Sequence, residues 1–315
     1  MQSLPKTMLA SPRFWLACGI GVIAGLLVGI IRPDFYRVLT DIGWAFQAAR
    51  DLVAHRDPYR HSIAEGLVPY PLTAAIIVMP WALLPDNLGI MLFFGGSSAL
   101  LAYGLLRDGQ YWRLIVFVSP SYFIALKTVQ WSPLLMAVFF FPMLAPLLLA
   151  KPTLALPIAL TMRWNRYAII GTAAIVGLSL LAMPDWPVRW LAQTGQYQGF
   201  IPLFTWAGPL LLTSLFFWRN RQARIFFLLT ITPQHYFFYD QLLLWMIPQT
   251  RRQMLILTIT AWIGIMLTWH NHPSLWYSEP YLLLFVYLPA LLIVLWQQAR
   301  VQQGIAFVLT RMRLF

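Results

Sequence analysis

Long apolar runs separated by short polar ones set the pattern of this chain. Phe14–Ile31, "FWLACGIGVIAGLLVGII", is an apolar run of 18 residues, long enough for a helix that crosses a membrane. From Pro71 onward the apolar runs cover about 71–84, 88–106, 114–126, 132–162, 167–183, 200–218, 225–249, 254–269 and 281–297. Several depart from the length of one clean crossing, about 20 residues. Ser132–Met162 holds Pro133, Pro142, Pro146, Pro152 and Pro157, a density that breaks it into short helices. Such pieces are tolerated in a bilayer where they line a cavity. The run 225–249 is interrupted by "TPQHYFFYD" and flanked by Arg224 and Arg251, which predicts a short hairpin with its polar tip outward.

Between the first run and Pro71 lies the longest polar interval, Arg32–Tyr70, with five Arg, four Asp, one Glu and two His. Inside it stands "TDIGWAFQAARDLVAHRDPY" (40–59). Ile42, Ala45, Phe46, Ala49, Leu52 and Val53 recur there at helical spacing. The spacing predicts an amphipathic helix with an apolar face on a surface and Asp41, Gln47, Arg50, Asp51 and His55 pointing elsewhere. Thr40 is placed to cap it.

Composition fixes the class. At 60% hydrophobic and 10% charged over 315 residues, the chain lacks the charged surface of a soluble globule. It reads as an all-α, polytopic membrane protein of about ten helical segments in a single integral domain. The net charge of +12 is spread over short clusters, "RWNR", "WRNRQAR" and "QTRR", which read as cytoplasmic loop anchors and not as a nucleic-acid surface. Lys6 and Arg13 then hold the N-terminus inside, the interval 32–70 faces outward, and the basic tail 299–315 is cytoplasmic. The first run is followed by "RPD" and no small-residue cleavage site, so it reads as a retained span. The outward tips are 184–200, 233–240 and 271–280. One conflict remains: crossings through both 71–84 and 88–106 put "RDGQYWR" outside, while its charge prefers the inside. The single Cys18 excludes an intrachain disulfide.

Candidate chemistry lies at the polar breaks. Asp41 and Asp57 flank the amphipathic helix; a carboxylate at an apolar wall has a raised pKa and serves as a general base, while a helix cap and a turn before Pro58 account for them without chemistry. Lys127 and Gln130 in "ALKTVQWSP" and Lys151 in "APLLLAKPTLALP" sit among apolar residues, where a lysine either faces a polar cavity or snorkels. Lys151 has no acidic partner nearby in sequence, so an anionic ligand such as a phosphate accounts for it. His235, Tyr239 and Asp240 occupy the tip "PQHYFFYD". His270 and His272 lack the companions of a metal site, and His55, Asp57 and His61 make a weak one. No Gly-rich phosphate loop, nucleophile elbow or HExxH is present.

Taken in order, a first span, an outward loop with an acidic amphipathic helix, "HRDPY", "YPL", "VQWS", "AKP" and "YDQLLL" resemble the GT-C membrane glycosyltransferases. The resemblance is to the bacterial polyprenol-phosphate-mannose-dependent mannosyltransferases and covers residues 35–245. His55 stands where the family has Gly, Leu72 replaces the second Pro of its YPP, and "VQWS" keeps Gln130 of its GQxN. The resemblance implies a GT-C-like fold and a multi-pass protein of the inner (plasma) membrane with its active site on the extracytoplasmic side. Asp41 matches the catalytic acidic position, Asp57, Tyr59 and Tyr70 the loop motifs, and Gln130 and Lys151 positions near the lipid-linked donor. Tyr239 and Asp240 match the later YD.

The implied activity is inverting transfer of a sugar, mannose by the resemblance, from a polyprenyl phosphate to a hydroxyl of a glycolipid or glycan. Asp41 is the base, Asp57 its supporting partner or the alternative base, and Lys127, Lys151 and His235 hold the phosphate. The phosphate leaves as a stable anion and needs cationic or hydrogen-bonding groups more than an acid. The chemistry requires no cofactor, and a divalent metal stays open. Two other readings stay open: a transporter or flippase of a lipid-linked or anionic solute, and a non-catalytic subunit of a glycosyltransferase complex.

Overall fold

A computed structural model describes residues 11–31, 41–60, 70–196, 199–272 and 278–298. Lys6, Thr40, His61 and the tail 299–315 lie outside these, as does the side chain of Asp41. The regular structure among the described residues is helical, with one isolated antiparallel bridge between Phe200 and Gln234. Four helices are long and apolar enough to cross a bilayer: α1 (Pro12–Ile31), α4 (Asp86–Leu106), α12 (Arg251–Asn271) and α13 (Glu279–Gln298). A fifth crossing is available if α8 (Arg166–Ala182) and α9 (Trp186–Gln193), bent by 94° at their junction, form one broken span. The protein is a membrane protein, with fewer full-length crossings than apolar runs.

α1 and α4 are antiparallel and touch along their backbones. A Cβ on Gly21 would sit 2.6 Å from the carbonyl oxygen of Gly95, and one on Gly25 2.8 Å from that of Met91. Without a hydrophobic force between helices in lipid, such small-residue contact is what lets two spans pack closely. Arg13 Nη1 donates to the carbonyl of Arg107 at 3.0 Å. The start of α1 and the end of α4 therefore share one face of the protein, and the chain between them turns back on the other.

That arrangement resolves the conflict at 71–84, where the run could either span or dip, in favour of a segment that dips and turns back. α3 (Leu72–Ala82) has 11 residues, about 16 Å of helix, too little to span. It lies beside α2 (Asp41–Val53), tied by Arg50 Nε to the carbonyl of Ala82 at 2.7 Å and by the Arg50–Asp86 ion pair. "RDGQYWR" consequently falls on the same face as Arg13, where its charge prefers to be. α2 departs from expectation too. Ile42, Trp44, Ala45, Phe46, Ala48, Ala49 and Asp51 are all buried, because Phe46 packs on Phe93 and Trp44 on Tyr59 and Tyr70. The helix is buried on most of its circumference, with Gln47 and Val53 left exposed, instead of resting on a surface with one face.

The proline-rich middle is a series of half-length pieces, as its sequence predicts. A 3-10 turn, Tyr111–Val118, leads into α5 (Pro120–Thr128), whose start is capped by the Ser119 hydroxyl accepting from Tyr122 N. α5 ends at Val129 with φ 50°, a left-handed conformation that costs energy for a β-branched residue. α6 (Ser132–Val138) runs back. Trp131 meets Phe93 in the first half of α4, while the carbonyl of Phe140 accepts from Arg107 at its far end. The Val129–Trp131 turn is thus held inside the protein, where non-helical backbone at membrane depth is tolerated. A 3-10 segment, Pro142–Ala150, and α7 (Pro152–Thr161) meet at Lys151.

Beyond α9, α10 (Gly208–Phe217) descends and α11 (Arg221–Thr230) returns, its start capped by Asn220. The tip 231–239 leads into a 3-10 segment, Asp240–Met246. This is the hairpin expected between Arg224 and Arg251. Arg221 lies over the ring of Phe139, next to the Arg107-bound end of the α6 segment, and is close to Arg163 and Arg224. Arginines thus gather on the face that holds Arg13 and Arg107, here termed the arginine face. Asp57, Lys151, Arg189 and Asp240 lie on the other.

Single cysteines at Arg56 and Asp108, both exposed, in a Cys18→Ala background test this sidedness. An impermeant thiol reagent is expected to reach Arg56→Cys only from one side of a sealed vesicle and Asp108→Cys only from the other. Labelling of both from one side would restore α3 as a crossing.

Candidate functional site

On the face opposite the arginines, four segments distant in sequence converge. Lys151 sits at the break between the Pro142–Ala150 segment and α7, where its non-helical backbone (φ −142°, ψ 81°) and the following Pro152 turn the chain. Its Nζ lies 2.9 Å from Asp240 Oδ1, with side-chain exposures of 5% and 0%. Asp240 Oδ2 accepts from the backbone N–H of His235 at 2.9 Å. The Lys151 ammonium also lies 4.9 Å from the Tyr239 ring centre and 5.9 Å from that of Tyr70. The acidic partner that the local sequence lacks is therefore supplied 89 positions away. A buried pair of this kind is sustained only when its remaining hydrogen-bond capacity is met, which His235 N and the two phenol rings help to do.

The tip that carries Asp240 is tightly built. Phe238 has φ 66°, folding "HYFFYD" sharply so that His235 and Asp240 face each other. Gln234 is held by Gln241 Nε2 at 2.9 Å and by the Tyr287 hydroxyl at 2.5 Å, and its backbone pairs with Phe200. Gln234, Gln241 and Tyr287 are fully buried, so the network fixes the tip to α13.

A second pair adjoins the first. Arg189 of α9 donates to Asp57 Oδ2 at 2.7 Å, and Asp57 Oδ1 accepts from Tyr59 N at 2.9 Å. The Arg189 guanidinium covers the Tyr59 ring at 5.5 Å, and the Tyr59 hydroxyl donates to the carbonyl of Tyr70 at 3.1 Å. Burial pushes the Asp57 carboxyl up, but the Arg189 hydrogen bond, the Tyr59 N–H and the charges of Arg189 and Arg60 together hold it below its ordinary 3.8. A carboxylate so stabilised is a weak base. Arg189 was not singled out by sequence. Its signal is one guanidinium amid the aromatic and apolar residues of "PDWPVRWL", on a helix that the 94° bend lays across the end of α8.

Seven of the residues marked by sequence, Asp57, Tyr59, Tyr70, Lys151, His235, Tyr239 and Asp240, thus form one linked band. Asp41 opens α2 one turn before Trp44, whose ring contacts Tyr59 and Tyr70. Gln130 is 3% exposed with its Oε1 lacking a hydrogen-bond partner, as do the neighbouring Trp131 Nε1 and Ser132 Oγ. Lys127, in the last turn of α5, is exposed and not placed in the band by any described contact. Among the described residues no three His, Cys, Asp or Glu side chains gather as metal ligands. His55 is exposed, Asp57 is engaged by Arg189, and His272 packs against Tyr281. Chemically, the band offers a half-buried guanidinium, a neutralised ammonium and several phenols beside an apolar interior.

Lys151→Met, which strands the Asp240 carboxylate, is expected to cost about 3–5 kcal/mol of stability in thermal or denaturant unfolding in detergent. Lys151→Met with Asp240→Asn keeps an acceptor for His235 N and is expected to recover a large part of that loss. For Asp57 the folded pKa is the lowered one, so its contact with Arg189 is fully present above 3.8 and lost as pH falls through the folded value. Spin labels at the exposed Val53 and Leu191 are expected to keep one distance from pH 5 to 8 and to separate only below about 3.8. Asp57→Asn should show the wider distance at every pH.

No family model, curated protein or solved structure matches the chain, so the band is read from its own chemistry.

Proposed function

We propose that the protein is a membrane glycosyltransferase of GT-C type that moves a sugar from a polyprenyl phosphate to an acceptor hydroxyl with inversion. The observation that carries this reading is the convergence of Asp57, Tyr59, Tyr70, Lys151, His235, Tyr239 and Asp240 into one band opposite the arginine face. In the proposed step the acceptor oxygen attacks the anomeric carbon from the side opposite the phosphate. Its proton passes to a carboxylate, and the carbon–oxygen bond to the phosphate breaks, releasing polyprenyl phosphate. Asp41 is the preferred base, because Arg189 lowers the basicity of Asp57. Arg189, with Lys151 and His235, is proposed to hold the phosphate from within the band. Asp57 then serves to orient Arg189. Under this reading the basic loops place the arginine face in the cytoplasm and the band outside it.

A non-catalytic role in a glycosyltransferase complex is favoured by one observation. Lys151 and Arg189 each already hold a carboxylate, so the band carries little uncompensated charge. The same experiment separates the two. Purified protein in lipid, given labelled polyprenyl-phosphate mannose and membrane extract as acceptor, is expected to release polyprenyl phosphate. Asp41→Asn is expected to lower the rate at least 100-fold, the scale of general-base catalysis. Donor binding with no release by either protein would favour the accessory reading, and full activity in Asp41→Asn would remove Asp41 as the base.

A further inference from the structure

A separate group of cations on the arginine face has no counterpart in the proposed chemistry. Arg163 follows α7, and Arg221 and Arg224 stand in the first turn of α11, which packs beside α7. The charges of Arg163 and Arg224 both bear on Arg221. Arg224 Nε is buried without a hydrogen-bond partner. The sequence offers nothing to neutralise them locally, since residues 109–184 and 186–239 contain no Asp or Glu. Among the described residues no carboxylate is within ion-pair distance of the three guanidiniums, so they repel one another, and a phosphate accepting from several of their N–H groups removes that cost.

The surroundings point to a phosphate that carries acyl chains. Trp164, Tyr167 and Trp218 are exposed beside the arginines, as aromatic side chains are at headgroup level. Leu156 and Leu160 on α7 and Phe216 on α10, the two helices that pack against α11, are exposed as well, Phe216 to 85%. We propose that Arg163, Arg221 and Arg224 bind the phosphate headgroup of an anionic phospholipid from the leaflet on the arginine face. This site is independent of the transferase reading.

The test is native mass spectrometry of the full chain released from nanodiscs of equal phosphatidylglycerol and phosphatidylcholine. The wild type is expected to retain phosphatidylglycerol selectively. Arg163→Gln, a change at an exposed position, is expected to weaken that retention roughly fivefold, and Arg221→Gln with Arg224→Gln on the order of 20-fold, as for basic residues beside an anionic leaflet. Arg251→Gln with Arg252→Gln, an exposed pair at the start of α12, is expected to leave it unchanged. Undiminished retention in both cluster variants would overturn the proposal. So would an equal loss in the α12 variant, which would indicate diffuse charge. Full displacement of the lipid by millimolar inorganic phosphate would also overturn it, by identifying a site for the free anion.

Discussion

The Lys151–Asp240 pair is the interaction on which the architecture of the polar band depends. Two charges withdrawn from water are tolerable only if each finds the other and the remaining donors and acceptors are met. Meeting that condition requires the break before α7 and the sharp tip before the Asp240–Met246 segment to arrive at one place. It also requires the tip to be rigid, which explains why Gln234, Gln241 and Tyr287 are buried together and why Phe238 adopts a left-handed backbone. The cost of one ion pair is thereby distributed over three separate helical segments.

A second constraint orders the charges. The close α1–α4 contact at Gly21, Gly25 and Gly95 brings Arg13 beside Arg107 and leaves α2 and α3 on the far side. Once that is fixed, each later half-length excursion begins or ends near Arg163, Arg221 or Arg224 on one face, and near Lys151, Arg189 or Asp240 on the other. Carboxylates concentrate with the second group. The two faces therefore differ in electrostatic character as well as in shape, and the two sites inferred here divide between them.

Much of this was legible in the sequence, for identifiable reasons. The α1 and α4 runs are of crossing length, and the prolines between Ser132 and Met162 break helices wherever they fall, so those elements follow from local rules. The hairpin around "PQHYFFYD" follows from a polar tip between flanking arginines. What the sequence concealed was tertiary. Nothing near Lys151 announces Asp240, nothing near Asp57 announces Arg189, and the periodicity of 42–53 reports one apolar face but not that Trp44 and Asp51 are enclosed as well. The α3 run is as apolar as a span, and only its length and its ties to Arg50 reveal that it turns back. Lys127 shows the converse: a lysine amid apolar residues that stays at the surface.

The separation of Lys151 from its partner also has a consequence in time. Asp240 is made 89 residues after Lys151, so at about 5–20 residues per second the lysine spends roughly 4–18 s of synthesis without the carboxylate that makes its burial tolerable. During that interval its long side chain is most stable reaching toward the aqueous boundary. The last part of the band to be synthesised thus supplies the charge that Lys151, made earlier, needs for its burial.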